Sequence, residues 1–254
     1  MSADWPAELV SALRDARRVA VLTGAGISAE SGIPTFRDAM TGLWAQFRPE
    51  DLATADAFRR DPTLVWDWYQ WRRDLVAAAS PNAGHHAVAE LQRRVPACTV
   101  ITQNVDGLHQ DAGTRDVIEL HGNIHRSKCF AENRVVADWP AGDQRPPRCP
   151  HCGAPLRPDV VWFGEALPGG ALAAAERAAG ECDLLISIGT SAVVYPAAAL
   201  PETALAAGAT VLEVNRDPTP LTELATWSLR GPAGELLPAL VAAAWPATSG
   251  GGDR

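Results

Sequence analysis

Short apolar runs alternate along the chain with stretches in which apolar residues recur every three or four positions. Val19 to Leu22, Thr99 to Thr102, Val117 to Leu120, Asp183 to Ile188, Thr210 to Val214 and Thr226 to Leu229 have the length and composition of strands. Between them, Ala7 to Arg17, His85 to Arg94 and Ala171 to Ala179 carry helical spacing. Strands separated by helices are joined most simply by crossovers, which make neighbouring strands parallel and cover the sheet with helices. The predicted fold class is therefore α/β, a doubly wound parallel sheet of the Rossmann-like kind. Two stretches interrupt the alternation. Residues 36–81 are tryptophan-rich and helical in pattern, and residues 122–161 are rich in Pro, Cys and Arg with no long periodicity. Both are expected to be insertions that build a smaller lobe, helical in its first part and zinc-ribbon-like in its second. The large lobe then comprises 1–35, 82–121 and 162–248 of one domain spanning 1–254. No internal repeat occurs, and the Gly-rich tail Ser249 to Arg254 is expected to fray.

Composition narrows the chemistry. With 254 residues, 47% hydrophobic and 20% charged, the chain can bury a full core, which excludes disordered and fibrous classes. Lys+Arg 22 against Asp+Glu 30 leaves a net charge of −8, so no global positive field draws the protein to nucleic acid or anionic lipid. Lys128 is the only lysine, which speaks against Schiff-base chemistry and lysine-dependent phosphate loops. No apolar run approaches the ~18 residues of a spanning helix. The start, MSADWPAELVSALRDARR, is amphipathic and mixed in charge, unlike a signal sequence. A cytoplasmic monomer with no nucleic-acid or membrane partner is the expectation. Five cysteines, an odd number, do not make a secreted disulfide framework, and the pair Cys149 and Cys152 in Cys-x-x-Cys spacing points to a metal.

The first strand runs into Thr23-Gly24-Ala25-Gly26-Ile27-Ser28-Ala29, a GxGxxA sequence at a predicted strand-to-helix turn. In that context Gly24 permits a tight turn, Gly26 lets backbone amides approach a pyrophosphate, and the small Ala29 allows close helix packing, with the helix N-terminus adding partial positive charge. The same residues suit a tight turn that binds nothing. About twenty residues on, a dehydrogenase would place a ribose-binding carboxylate at the end of a second strand. Here Glu50-Asp51 stand in a helical setting instead, which disfavours a hydride carrier.

The continuation Glu30-Ser31-Gly32-Ile33-Pro34-Thr35-Phe36-Arg37-Asp38 breaks regular structure and sets an aromatic beside an arginine. Thr102-Gln103-Asn104-Val105-Asp106-Gly107-Leu108-His109 and Glu119-Leu120-His121-Gly122-Asn123 follow predicted strands. Gly189-Thr190-Ser191 and Asn215 follow later ones, and Gly231-Pro232-Ala233-Gly234 comes near the end. In this order the set resembles the sirtuin family of NAD-dependent protein deacylases, from Val19 to about Leu237. The resemblance implies NAD as co-substrate, acyl-lysine proteins or peptides as partners, and release of nicotinamide and an O-acyl-ADP-ribose. It implies that the acyl oxygen attacks the ribose carbon as nicotinamide leaves, and that His121 then takes a ribose hydroxyl proton. A histidine titrates where such a base must work. Asn104 and Asp106 are implied in catalysis and, with Gln103, in holding nicotinamide and ribose. Gly24, Ala25, Gly26, Ser28, Phe36, Arg37, Gly189, Thr190, Ser191, Asn215 and Ala233 are implied in binding NAD, Phe36 and Arg37 as a cover that limits water. Val160-Val161-Trp162-Phe163-Gly164-Glu165 resembles the family segment that pairs with substrate backbone, Val193 and its neighbours lying opposite. A plain deacetylase, a mono-ADP-ribosyltransferase and a non-enzymatic NAD or ADP-ribose sensor are the alternatives. ADP-ribose attached to protein would mark the transferase, and a sensor would need neither His121 nor Asn104 and Asp106.

Asp61-Pro62 makes a good helix start, and the helical pattern continues to about Ala79. Leu64, Trp68, Trp71 and Leu75 share one face, while Tyr69 and Arg72 point together from the neighbouring stripe. A hydroxyl and a guanidinium so placed can converge on one anion. A solvated arginine beside an aromatic has the same spacing. The Tyr-x-x-Arg pair resembles the class III sirtuins, which prefer succinyl, malonyl or glutaryl lysine, and the small Ala25 fits a pocket for a longer acyl chain. The expected activity is desuccinylation or demalonylation, with weaker deacetylation. Cys149-Pro150-His151-Cys152-Gly153 reads as a zinc knuckle. Its partner knuckle has Cys129, but Glu132 stands where a second sulfur would fall. Cys129, Cys149 and Cys152 are thus candidate ligands of a structural zinc, with Glu132, His125 or water as the fourth, and a lobe that folds without metal is the alternative. Cys98 and Cys182 are expected to be packing residues.

Overall fold

The computed structural model of the protein describes residues 5–34, 46–139 and 144–246. In chain order its strands are β1 (Arg18–Thr23), β2 (Ala97–Thr102), β3 (Ile118–Glu119), β4 (Gly122–Cys129), β5 (Val135–Val136), β6 (Leu156–Val160), β7 (Leu184–Ile188), β8 (Thr210–Asn215) and β9 (Trp227–Arg230). Its helices are α1 (Ala7–Asp15), α2 (Pro49–Leu52), α3 (Ala55–Arg60), α4 (Pro62–Ala77), α5 (Ala83–Arg94), α6 (Leu108–Asp111), α7 (Gly169–Glu181), α8 (Leu200–Ala206) and α9 (Ala233–Ala244). One sheet runs β3-β2-β1-β7-β8-β9 with every pair parallel, the doubly wound class that the sequence predicts. Strand order reverses between β1 and β7, so a crevice opens outside the carboxyl ends of these strands. Val19 and Val21 of β1 pack on one face with Leu9, Leu13, Val88, Leu91 and Leu240 of α1, α5 and α9. Ala20 and Leu22 pack on the other with Ala175, Ala179, Leu200 and Ala204 of α7 and α8. Burial on both faces is why β1 reads as an unbroken apolar run. No helix of the described residues is long and apolar enough to cross a membrane.

The smaller lobe joins α2, α3 and α4 to a three-stranded antiparallel sheet, β5-β4-β6, around Leu52, Phe58, Val65, Trp68, Tyr69, Ile124, Val160 and Trp162. No strand period is visible over 122–161 because β4 shifts register between Asn123 and Ser127. Gly122, Asn123 and Ile124 are buried in succession, His125 and Arg126 are not, and Ser127 to Cys129 are buried again. At the start of α4 the Asp61 side chain accepts from the Leu64 amide at 2.9 Å, a cap that contributes about 1 kcal/mol. The buried stripe of α4 is Val65, Trp66, Trp68, Tyr69 and Val76; of the face shared by Leu64, Trp68, Trp71 and Leu75, Leu64 and Trp71 pack partly buried on the same core and Leu75 is exposed. The stripe widens and turns because α4 is covered twice: Trp66 packs beside Cys129 and Cys149, while Trp68 and Tyr69 face the lobe's main core.

Candidate active site at the sheet's switch point

The loop after β1 and the loop after β7 touch at the crevice. The Gly26 amide donates to the Gly189 carbonyl at 2.9 Å, and the Gly24 amide donates to that of Ile188 at 3.0 Å. A Cβ on Gly26 would lie 2.6 Å from Gly189 Cα, and one on Gly189, at φ +60°, would lie 2.5 Å from the Ile27 nitrogen. Only glycine at both positions lets the loops cross. The Gly26 amide is therefore spent within the protein. The helix expected to open here does not form. Two 3-10 turns, Ala25–Ile27 and Ala29–Ser31, stand in its place. Side chains have captured the carbonyls that a helical ladder would use: Asn104 Nδ2 donates to Gly24 O at 3.0 Å and Asn82 Nδ2 to Ile27 O at 2.7 Å. Gly32, at φ +79°, then ends the segment.

Ser28 is the hub of a buried polar chain. The Asn82 amide donates to His85 Nδ1, which leaves the ring proton on Nε2, 3.3 Å from Ser28 Oγ. Asn104 Nδ2 donates to the same oxygen at 3.1 Å, so the Ser28 proton goes to Asp106 Oδ2 at 2.8 Å. Two donors in and one proton out orient every member of the chain. Burial raises the Asp106 carboxyl above its usual range, opposed by its bonds from the Leu108 amide and Ser28. Burial pushes His85 down to about 4 and His109 to about 3, so both rings are neutral. His109 Nε2 lies 2.9 Å from Thr23 Oγ1, and its Nδ1 has no partner among the described residues. Sequence reasoning missed His85. The signal available was Asn82, which forms a capping box with it at the start of α5.

His121, just past β3, is half-buried, with Nδ1 2.8 Å from the Gln103 carbonyl oxygen. A carbonyl only accepts, so Nδ1 carries the proton and Nε2 keeps its lone pair. Burial lowers the pKa from 6.5, and the Gln103 bond restores part of it. At the far side, Asn215 Nδ2 donates to Thr190 O at 2.6 Å and ties β8 to the loop after β7, while Thr190 Oγ1 meets Ser187 Oγ at 3.1 Å. Ser191 and Ala25 are exposed at this mouth. Ala233 is buried in the first turn of α9, where Glu30 accepts from the Gly234 amide at 3.1 Å. Phe36 and Arg37 lie outside the described residues, as does the tail Ser249 to Arg254.

Tyr69 is buried, and its hydroxyl accepts from Trp162 Nε1 at 3.0 Å. The Arg72 guanidinium carbon stands 5.1 Å from the Trp68 ring centroid and 5.6 Å from that of Tyr69. Burial disfavours the Arg72 charge, and Tyr69 and Asp106 partly offset this. In the segment expected to meet substrate, the side chains of Val160 and Trp162 belong to the lobe's core, whereas Phe163 and, opposite, Val193 are more than half exposed. Gly164 turns at φ +83°. The amides of Val161 and Phe163 donate to His121 O and Ala53 O, each at 2.9 Å.

Away from the crevice, ligand atoms of Cys129, Glu132, Cys149 and Cys152 all lie within 4.8 Å of one another. Three thiolates and a carboxylate suit tetrahedral Zn²⁺. Glu132 lies where it could act as a fourth donor, whereas His125 Nε2 is 3.0 Å from the Asp106 carbonyl. Burial pushes the Cys149 thiol up, but the amides of Cys152 and His151 hold it below its usual value. An ion held here would clamp β4 to the knuckle, a structural role. Cys129→Ser is expected to cut bound zinc, measured by atomic absorption, from about one per chain and to lower the Tm. Cys98 is pushed up to about 12 by burial and Cys182 is also raised, as suits packing residues.

Counting only its own strands, the large sheet runs 3-2-1-4-5-6 and gathers polar side chains outside the carboxyl ends, which defines a Rossmann-like protein of the dinucleotide-binding class. The Sir2 family model matches residues 24–196. The NAD-dependent protein deacylase of Methylococcus capsulatus is 53% identical over 244 residues, 93% of this chain and 96% of that one. Among solved structures, a Sir2 homolog–NAD complex has a TM-score of 0.88 at 46% identity, covering 96% of this chain and 95% of its own. A Sir2 bound to acetylated peptide has 0.81 at 33% identity, covering 91% and 94%. The chain belongs to the Sir2 family, the sirtuins.

Proposed function

We infer that the protein is an NAD-dependent protein-lysine deacylase that prefers acyl groups ending in a carboxylate, succinyl or malonyl, over acetyl. Membership of the Sir2 family and relatives carrying the name NAD-dependent protein deacylase support the activity. The acyl preference rests on one observation, the Arg72 guanidinium carbon 5.6 Å from the Tyr69 ring centroid, so that a guanidinium and a phenol stand together on α4. An acetyl methyl offers these donors nothing, whereas a terminal carboxylate accepts charge-assisted bonds from both. The crossed glycine loops and the polar strand ends suit a dinucleotide laid across the switch point. NAD, when bound, supplies the ribose carbon that receives the acyl oxygen, with nicotinamide as leaving group. In this reading Ser28, Gln103, Asn104 and Asp106 hold the nicotinamide end. Gly24, Ala25, Gly26, Gly189, Thr190, Ser191, Asn215 and Ala233 serve the phosphates and the adenosine. His121 Nε2 takes the ribose hydroxyl proton, and Phe163, Gly164 and Val193 line the acyl-lysine peptide.

His121 works in its neutral form, and its pKa is lowered, so activity should fall only as pH drops through a value below 6.5. A kcat/KM profile with an acid limb above 6.5 would count against this base. The activity itself is tested by mass spectrometry of succinyl-lysine and acetyl-lysine peptides incubated with and without NAD. Faster NAD-dependent loss of succinyl is expected. Acetyl preference would overturn the acyl reading, and no loss from either peptide would overturn deacylation.

A further inference from the structure

We propose that Trp162 is a positioning residue for acyl selectivity: its indole N–H occupies the Tyr69 oxygen and thereby turns the Tyr69 proton toward the acyl group. The proposal rests on the reading that Tyr69 and Arg72 receive an acyl carboxylate. An indole nitrogen can only donate, so across the 3.0 Å contact Tyr69 must accept. The phenol has a single proton, which must then go elsewhere. Arg72, the cation beside it, is also a donor only, and among the described residues no carbonyl or carboxylate accepts from Tyr69. With donors on both sides, the hydroxyl presents a proton rather than a lone pair. That polarity suits a carboxylate and is of no use to an acetyl methyl.

Trp162 is itself held from three sides. The Arg157 guanidinium carbon sits 3.2 Å over its ring, the Phe58 ring lies 5.3 Å away, and its backbone amide donates to Glu165 Oε2 at 2.9 Å. Arg157 also donates to Glu165 at 3.0 Å and to the Val160 carbonyl at 2.7 Å, which locks the clamp. Tyr69 and Trp162 are both buried, so the phenol is oriented before substrate arrives rather than by it.

Trp162→Phe keeps an aromatic ring for Phe58 and Arg157 but has no N–H. It is expected to raise KM for a succinyl-lysine peptide more than it lowers kcat, and to reduce the succinyl-to-acetyl ratio of kcat/KM by about tenfold, the scale of one buried hydrogen bond. Tyr69→Phe should reduce the ratio alike, and the double variant no further than Tyr69→Phe alone. An unchanged ratio, equal losses on both substrates, or effects that multiply would overturn the role. A second reading needs no core variant: in protein with ¹⁵N-labelled indoles, the Trp162 N–H resonance, identified by its shift in Tyr69→Phe, should move with succinyl-lysine peptide and not with acetyl-lysine peptide. A resonance indifferent to both would count against the proposal. A succinyl preference that Arg72→Met removes and Trp162→Phe leaves intact overturns the role of Trp162 alone. Wild-type protein without that preference, with Arg72→Met lowering both activities alike, overturns the acyl reading and this proposal with it.

Discussion

His121→Gln is expected to lower kcat/KM about 10³-fold on succinyl- and acetyl-lysine peptides alike, the scale of a lost general base. Glutamine can still donate to the Gln103 carbonyl that holds His121 Nδ1 at 2.8 Å, but it offers no group that titrates near neutrality. His121 is only half-buried, so the substitution should leave Tm nearly unchanged, and a melting curve separates lost chemistry from lost fold. In the proposed reaction His121 would take the proton only after nicotinamide has left. Exchange of labelled nicotinamide into NAD in the presence of acyl peptide should therefore survive in His121→Gln while net turnover does not. Turnover near the wild-type rate would remove His121 from the role of base, and exchange lost together with turnover would make it a binding residue instead.

The second large effect is selective. Arg72→Met should lower kcat/KM for a succinyl-lysine peptide about a hundredfold, mostly through KM, and lower deacetylation far less. Methionine retains the stem that packs on the Trp68 ring and removes the fork that a carboxylate would grip. Two charge-assisted bonds in a partly desolvated site account for a loss of that size. Burial already disfavours the Arg72 charge, so Tm is expected to hold or rise when the guanidinium is replaced by an apolar group of similar length. Equal losses on both substrates would show that Arg72 supports the helix rather than the acyl group.

Much of the architecture was legible because it depends on local period. The inner strands of the large sheet appear as apolar runs, and the sequence places all six strands of that sheet, edges included, within a residue or two of where they lie. The start of α4 was equally plain, since Asp61 and Pro62 carry their meaning within one turn. Strand β4 was hidden by its register shift, which destroys the two-residue alternation that marks a half-buried strand. The helix expected after β1 failed for a different reason. Gly24 to Ala29 have a helix-opening pattern, but Asn82 and Asn104, more than fifty positions away, take the carbonyls that a helix would have used.

The site divides along the same line. The sequence by itself determined the parallel sheet, the turns at its carboxyl ends and the kinds of residue found there, because each rests on spacing within a few positions. Only the tertiary structure decided that Ser28 would join Asn104, Asp106 and His85, that Glu132 rather than His125 would lie within the cysteine cluster, and that Trp162 would reach Tyr69 across 93 positions. Such partnerships are set by how separate elements pack. A one-dimensional pattern records which face of each element is buried, but not which residue of another element lies against it.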